Sequence, residues 1–183
     1  FVSIPQDVTD SLVSVKAIKP LTDPKLGSAS VDDINYLAQA IRNAQLPVLL
    51  LGNGASTSKV TQAIRQLLTA VKLPVVETFQ GAGIVSRELE EDTFFGRVGL
   101  FRNQPGDMLL KKADLVIAIG YDPIEYEARN WNAEISARII VIDVAQAEID
   151  TYFQPERELI GDIADTIQLL LPAINGYSLP KTS

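Results

Sequence analysis

Short apolar runs alternate along this chain with longer segments in which apolar residues recur every three or four positions. An uninterrupted run of apolar residues is typical of a strand that is buried on both faces of a sheet. Such runs predict strands at residues 48–51, 114–120 and 137–143, and shorter segments of the same alternating pattern predict strands at 74–78, 94–98 and 158–161. Helical spacing predicts helices at residues 31–41 after a Ser30 cap, at 58–71, at 105–113, and from Asp162 through residue 170.

Strands that alternate with helices are the pattern of βαβ units. We therefore predict an α/β fold, a three-layer open sheet of about six parallel strands with helices on both faces and right-handed crossovers. Each predicted strand ends in Gly, Asp or a small polar cluster. In an open α/β sheet these carboxyl-end loops meet along one edge, where ligands bind.

Composition divides the chain into three parts. Residues 1–30 are interpreted as the end of a preceding domain and a linker, because a strand-like start without Met, Phe1 to Ile4, leads into a segment with Pro, Gly, Ser and Thr. Residues 31–174 carry the predicted strands and helices and form a central α/β domain. Residues 175–183 are interpreted as an exit linker. On this division the chain is a piece of a larger protein.

Composition also limits the chemistry. The 183 residues are 46% hydrophobic and 21% charged, as in a globular domain. A net charge of −7 argues against nucleic acid or an anionic membrane as the main partner. The chain has no His and no Cys, which excludes Ser-His-Asp and Cys-His catalysis, His-ligated metal and disulfides within it. These absences favour a binding or scaffolding domain and make the cytoplasm the simplest location.

Two glycine loops are candidates for a nucleotide pocket. Gly52, Asn53 and Gly54 lie between the first predicted strand and a helix, where dinucleotide-binding folds hold a phosphate, but the third glycine of that fingerprint is absent. Gln80 and Gly81 begin a similar loop after the second strand. Both loops admit a second interpretation, a sharp turn without ligand. Asp143 could accept a ribose hydroxyl at the end of its strand, or cap the segment at residues 146–150.

Two further loops carry polar and aromatic side chains. The first places Phe101, Arg102, Asn103 and Gln104 around a turn before a predicted helix, a set that either binds something or is merely solvated. The second follows the strand at 114–120 and brings two tyrosines and two carboxylates, with Tyr121 and Glu125 among them. We expect a pocket or a domain contact there. Alternatively, Tyr121 covers the end of the core and Glu125 is a solvated charge.

The order and spacing of many segments make the chain resemble the middle domain of thiamine-diphosphate-dependent acetolactate synthases, in their catabolic, pyruvate-condensing form. The segments are Phe1-Val-Ser-Ile-Pro5, Asp7-Val8, Leu51-Gly52, Gly96-Arg-Val-Gly-Leu-Phe101, Asn103-Gln104, Gly106-Asp107, Asp114-Leu-Val-Ile, Gly120-Tyr121, Pro123, Glu125-Tyr126, Trp131-Asn132 and Ile142-Asp-Val144.

This resemblance implies a three-domain subunit that condenses two pyruvates to 2-acetolactate and CO2. Thiamine diphosphate and Mg2+ would be bound by the other two domains, between paired subunits of a homo-oligomer, and the catalytic glutamate would lie in the first domain. The middle domain resembles NAD- and FAD-binding (DHS-like, Rossmann-like) domains. It would be structural and not catalytic alone, and its loops at Gln80, at residues 101–104 and at Tyr121 would line the active-site entrance.

The chain departs from the related anabolic enzymes in the segments that hold flavin. Those resemble this chain but hold FAD with a Gly-Met-His-Gly segment and a Gly-x-Arg-Phe-Asp-Asp-Arg segment. Here the corresponding places read Gly99-Leu-Phe-Arg102 and Gly120-Tyr-Asp-Pro-Ile-Glu-Tyr126, without the His and without a basic residue after Gly120 until Arg129. FAD is therefore not expected. The alternatives are the middle domain of a pyruvate oxidase or 2-oxoacid decarboxylase, and a free-standing nucleotide-binding module.

Overall fold

The computed structural model describes residues 3–12, 14, 19, 22 and 25–180. Its strands are β1 (Pro47–Leu51), β2 (Val75–Thr78), β3 (Phe94–Val98), β4 (Leu115–Ile119), β5 (Arg138–Asp143) and β6 (Arg157–Ile160). Its helices are α1 (Gln6–Thr9), α2 (Val31–Asn43), α3 (Ser58–Ala70), α4 (Arg87–Thr93), α5 (Pro105–Lys112) and α6 (Ile163–Ala173). Short 3-10 turns occur at Asn53–Ala55 and Ala128–Asn130.

The six strands form one sheet in the order β3-β2-β1-β4-β5-β6, and every neighbouring pair is parallel. The chain builds outward from β1 in one direction, to β2 and β3, and then returns to β4 on the other side of β1. The strand order thus reverses between β1 and β4, which is the position where open α/β sheets bind ligands. The predicted fold class is confirmed.

Apolar cores cover both faces of the sheet. Strands β1 and β4 are buried at every position, as uninterrupted apolar runs predict. Alternate strand residues point to opposite faces, so that Leu49 packs with α2, α3 and α6, whereas Val48 packs with α5 and with irregular segments. The second face is therefore covered by one helix together with the chain that follows β4 and β5.

Side-chain caps begin three of the helices, at Ser30, Thr57 and Asp162. The Ser30 hydroxyl accepts the Asp33 N–H at 3.2 Å, and Thr57 accepts the Val60 N–H at 3.5 Å. Asp162 accepts the Asp165 N–H at 2.9 Å. Each side chain satisfies a backbone donor that has no partner inside the helix, so these residues fix where α2, α3 and α6 start.

The sequence pattern missed two helices and suggested a capped segment that is not helical. Helix α1 is a single turn. Helix α4 has the sequence Arg-Glu-Leu-Glu-Glu-Asp-Thr, which shows no apolar periodicity, and only its Leu89 and Thr93 side chains are buried or partly buried. Between β5 and β6, residues 146–150 form no helix.

The segments at the two ends were predicted to be linkers. Phe1 and Val2 lie outside the described residues, as do most of residues 13–24 and the last three residues. Gly27 and Ala29 contact the domain directly: the Gly27 carbonyl accepts the Asp162 N–H at 2.8 Å, and the Ala29 N–H donates to the Thr166 hydroxyl at 3.0 Å. These two residues therefore pack on the start of α6.

Candidate functional site

The loops that follow β1 and β4 pack directly against each other at the point where the strand order reverses. The Gly54 N–H donates to the Gly120 carbonyl at 2.9 Å. A Cβ on Gly52 would lie 2.5 Å from the Tyr121 Cα, and one on Gly120, where φ is +56°, would lie 2.5 Å from the Gly54 carbonyl carbon. Glycine is needed here because backbone fills the crevice that a ligand occupies in related folds.

A buried carboxylate ties three of the carboxyl-end loops together. Glu125, in the loop after β4, is only 8% exposed. It accepts the Asn53 N–H after β1 at 3.1 Å and the hydroxyl of Thr78 at the end of β2. The Thr78 hydroxyl in turn accepts the Gly81 N–H at 3.2 Å. Because the side chain is buried and hydrogen-bonded, the alternative in which Glu125 is a solvated charge is wrong. Its carboxylate lies where a dinucleotide-binding loop would offer its N–H groups to phosphate.

The loop after β2, residues 80–85, is held by a second buried carboxylate. Glu77 is 1% exposed and accepts the Val85 N–H at 2.6 Å and the Gly83 N–H at 3.2 Å, with the Arg97 guanidinium 3.5 Å away. Burial raises the pKa of the Glu77 carboxyl above its ordinary value, against the opposite influence of these three partners. Gln80 itself is exposed at the tip of this loop.

Tyr121 belongs to an aromatic cluster below the edge. Its ring lies 5.3 Å from that of Phe153 and 6.4 Å from that of Trp131, and its hydroxyl donates to the Tyr126 carbonyl. The Tyr126 hydroxyl donates to Asp107 at 2.5 Å, and burial raises the pKa of both tyrosines. Tyr121 is 7% exposed and covers the end of the core, as the structural alternative proposed.

Phe101, Arg102, Asn103 and Gln104 are all exposed on one turn after β3. Asn103 has φ of 59°, and the Gln104 N–H donates to Asp107 at 2.8 Å, which fixes the start of α5. The turn and the loop after β4 together line a cavity of about 290 Å3 that reaches Glu125 and Arg129. Of the residues predicted for an entrance, Phe101, Arg102 and Glu125 line this cavity, whereas Asn103, Gln104, Tyr121 and Gln80 do not.

Asp143 is half-buried at the end of β5 and accepts the Val144 N–H at 2.6 Å. Burial raises the pKa of its carboxyl. The capping alternative at residues 146–150 is wrong, because Asp143 bonds to its immediate neighbour and no helix follows. The acid that binds ribose in dinucleotide folds lies about 20 residues after the glycine loop. Glu77 at the end of β2 fits that position better than Asp143.

Sequence reasoning missed Thr78 and Arg129. Thr78 could have been found, because it ends a strand that neighbours β1 in a parallel sheet and therefore lies beside Gly52. Arg129 enters the cavity only because the chain after β4 folds back through a 3-10 turn, which no local pattern indicates.

Across the part of the chain that the structure describes, no three His, Cys, Asp or Glu side chains come together in a way that could hold a metal ion. No helix in the same part is both long enough and apolar enough to cross a membrane.

Fold and edge together define a Rossmann-like α/β domain in which the loops after β1 and β4 are in backbone contact and are linked by Glu125. A family model described as the central domain of thiamine pyrophosphate enzymes matches residues 34–170. The chain belongs to that family, as the resemblance in the sequence predicted.

Relatives of known name agree with this assignment. The chain is 50% identical over 91% of its length to acetolactate synthase of Bacillus subtilis, of which the match covers 29%. It is 39% identical over 95% of its length to a catabolic acetolactate synthase of Raoultella terrigena, covering 31% of that protein. Human 2-hydroxyacyl-CoA lyase 1 is 29% identical over 93% of the chain, covering 29% of the lyase. The chain spans less than a third of the length of each relative.

Proposed function

We propose that this chain is the central domain of a flavin-free acetolactate synthase that condenses two pyruvates to 2-acetolactate and CO2. The observation that carries the proposal is the identity of 50% and 39% to two acetolactate synthases, one of them catabolic, across nearly the whole chain. The similarity to a 2-hydroxyacyl-CoA lyase is weaker, at 29%.

Thiamine diphosphate, held with Mg2+ by other domains, supplies the electron sink for decarboxylation. In the described part of this chain, no three His, Cys, Asp or Glu side chains come together in a way that could hold that ion. Its role in the proposal is to hold the carboxyl-edge loops as a rigid wall, with Glu125 linking the loops after β1, β2 and β4. The exposed turn at residues 101–104 and the loop tip at Gln80 are the segments proposed to face the active-site entrance.

We infer from the contacts at the carboxyl edge that it is not built to hold FAD. A dinucleotide needs free N–H donors after β1, a free acid after β2 and open space between β1 and β4. Here Asn53 donates to Glu125, Glu77 accepts from its own loop, and the backbone of Gly120 fills the space. A phosphate placed beside the Glu125 carboxylate would also meet charge of its own sign. These contacts support the flavin-free form.

A titration tests this part of the proposal. FAD is added to the whole protein that contains this chain while flavin fluorescence is followed. We expect no saturable binding at micromolar FAD, in the unchanged protein and in a Glu125→Gln variant that removes the charge but leaves the glycine contacts. Micromolar or tighter binding by the unchanged protein contradicts the flavin-free assignment.

The reaction is tested by analysing products. The whole protein is incubated with pyruvate, thiamine diphosphate and Mg2+, and we expect 2-acetolactate and CO2. Acetaldehyde as the main product would indicate a 2-oxoacid decarboxylase, and consumption of oxygen a pyruvate oxidase. Either result contradicts the proposal.

The remaining proposals concern the assembly. We expect a homo-oligomer, because the cofactor would be shared between paired subunits. The cytoplasm is the expected location, because the chain has no Cys for disulfides. Light scattering on the whole protein measures its mass directly, and the mass of a single subunit would contradict this expectation.

A further inference from the structure

The 80–85 loop is held from both sides by charged side chains of rigid elements. On β2, the buried Glu77 carboxylate accepts the N–H groups of Val85 and Gly83 at 2.6 and 3.2 Å. On α3, Arg65 donates to the Ile84 carbonyl at 2.7 Å through Nε and to the Gly83 carbonyl at 2.8 Å through Nη2. An acid thus holds the donors of the loop and a base holds its acceptors.

The same loop is fixed at its start by backbone packing. A Cβ on Gly81 would lie 2.7 Å from the Leu51 carbonyl oxygen, so the loop runs directly over the end of β1. Within residues 80–85, only Gln80 and Ala82 present exposed side chains. Charge-assisted hydrogen bonds to backbone are among the stronger contacts available for holding a loop.

We propose that Glu77 and Arg65 are positioning residues, which hold the 80–85 loop, and with it the exposed Gln80, in one conformation at the proposed active-site entrance. This inference rests on the function proposed above. Burying an ion is unfavourable unless it is fully paired, and a neutral side chain would suffice to fill the space under a loop of no consequence. The geometry therefore assigns to Glu77 and Arg65, together called the clamp, the role of keeping the loop in one conformation.

The experiment compares four variants of the whole protein. Glu77→Gln removes the charge and one of the two acceptor oxygens, Arg65→Gln removes the guanidinium, and Arg65→Lys restores a charged donor. Arg42→Gln is the matched control, because Arg42 also donates to backbone carbonyls, those of Ala173 and Asn175 at 3.0 and 3.5 Å, but it lies before β1, at the opposite end of the sheet. Hydrogen exchange at the Gly83 and Val85 amides is measured together with kcat and KM for pyruvate.

We expect faster exchange at both amides in Glu77→Gln and Arg65→Gln, and a KM raised by about fivefold or more with kcat changed less than about twofold. Arg65→Lys should recover part of the loss, and Arg42→Gln should leave KM and exchange in the loop unchanged. Unchanged exchange overturns the clamp, whether or not the protein makes acetolactate. Faster exchange with an unchanged KM, or an equal KM change in Arg42→Gln, overturns the positioning role. If Glu77→Gln fails to fold, Arg65→Gln decides alone.

Discussion

Two glutamates are buried at the carboxyl edge, and each is hydrogen-bonded by groups of the same chain. Glu77 serves the loop after β2, and Glu125 links three loops. Both occupy places where a dinucleotide fold offers groups to its ligand. At this scale, backbone N–H groups of the carboxyl edge are satisfied by internal carboxylates.

Glu125→Ala tests the linking role. The substitution leaves the fully buried Thr78 hydroxyl without its carboxylate partner, and we expect a loss of about 1–3 kcal/mol in the free energy of unfolding. Glu148→Ala, at an exposed position, should change the free energy by less than about 0.5 kcal/mol. Chemical denaturation of both variants measures this, and equal effects would contradict the assigned role.

Two glutamates should give pH dependences of opposite sign. The pKa of Glu77 is raised by burial, so its contribution to stability is present at low pH and is lost as pH rises through the raised folded-state pKa. The pKa of Glu156 is lowered by its hydrogen bonds from Arg138, so its contribution is present above the ordinary value and is lost as pH falls.

Denaturation of the unchanged chain, Glu77→Gln and Glu156→Gln between about pH 3 and 7 checks these signs, because the change for Glu156 falls below the ordinary carboxyl pKa and the change for Glu77 falls above it. The stability advantage of the unchanged chain over Glu77→Gln should shrink as pH rises, whereas its advantage over Glu156→Gln should grow. Two slopes of the same sign would contradict the assignment of at least one carboxyl.

At the scale of elements, the contact between the loops after β1 and β4 depends on glycine. Gly120→Ala would place a Cβ 2.5 Å from the Gly54 carbonyl carbon at a positive φ, whereas Gly176→Ala has a positive φ and nothing within 4 Å. Each substitution should lower the free energy of unfolding by about 1–2 kcal/mol through backbone strain. We expect Gly120→Ala to lose about 1–3 kcal/mol more through overlap, by thermal or chemical unfolding. Equal losses would show that the loops can separate freely.

Strands β1, β4 and β5 could be predicted because each is a largely apolar run by itself, and the caps because they act within four residues. Helix α4 could not, since it rests on the sheet through little more than Leu89. The bonds from Glu125 to Asn53 and Thr78 span 72 and 47 residues, and they exist only once the strand order is fixed. The candidate site was therefore predicted as a set of loops, and its internal contacts were not.

At the scale of the whole molecule, the described residues form one six-stranded sheet with both faces covered. The chain matches less than a third of the length of each of the two acetolactate synthases. We expect the 183-residue chain to unfold cooperatively by itself and to form no acetolactate when incubated with pyruvate, thiamine diphosphate and Mg2+. The whole protein serves as the positive control. Acetolactate above background from the purified chain would contradict a role as a structural domain.

Reconstitution of the whole protein tests the central claim most directly. The protein is stripped of cofactors, and acetolactate formation from pyruvate is measured after thiamine diphosphate and Mg2+ are restored, with and without FAD. A flavin-free acetolactate synthase should recover the same rate in both samples. No acetolactate in either sample, or a rate that requires FAD, would contradict the claim.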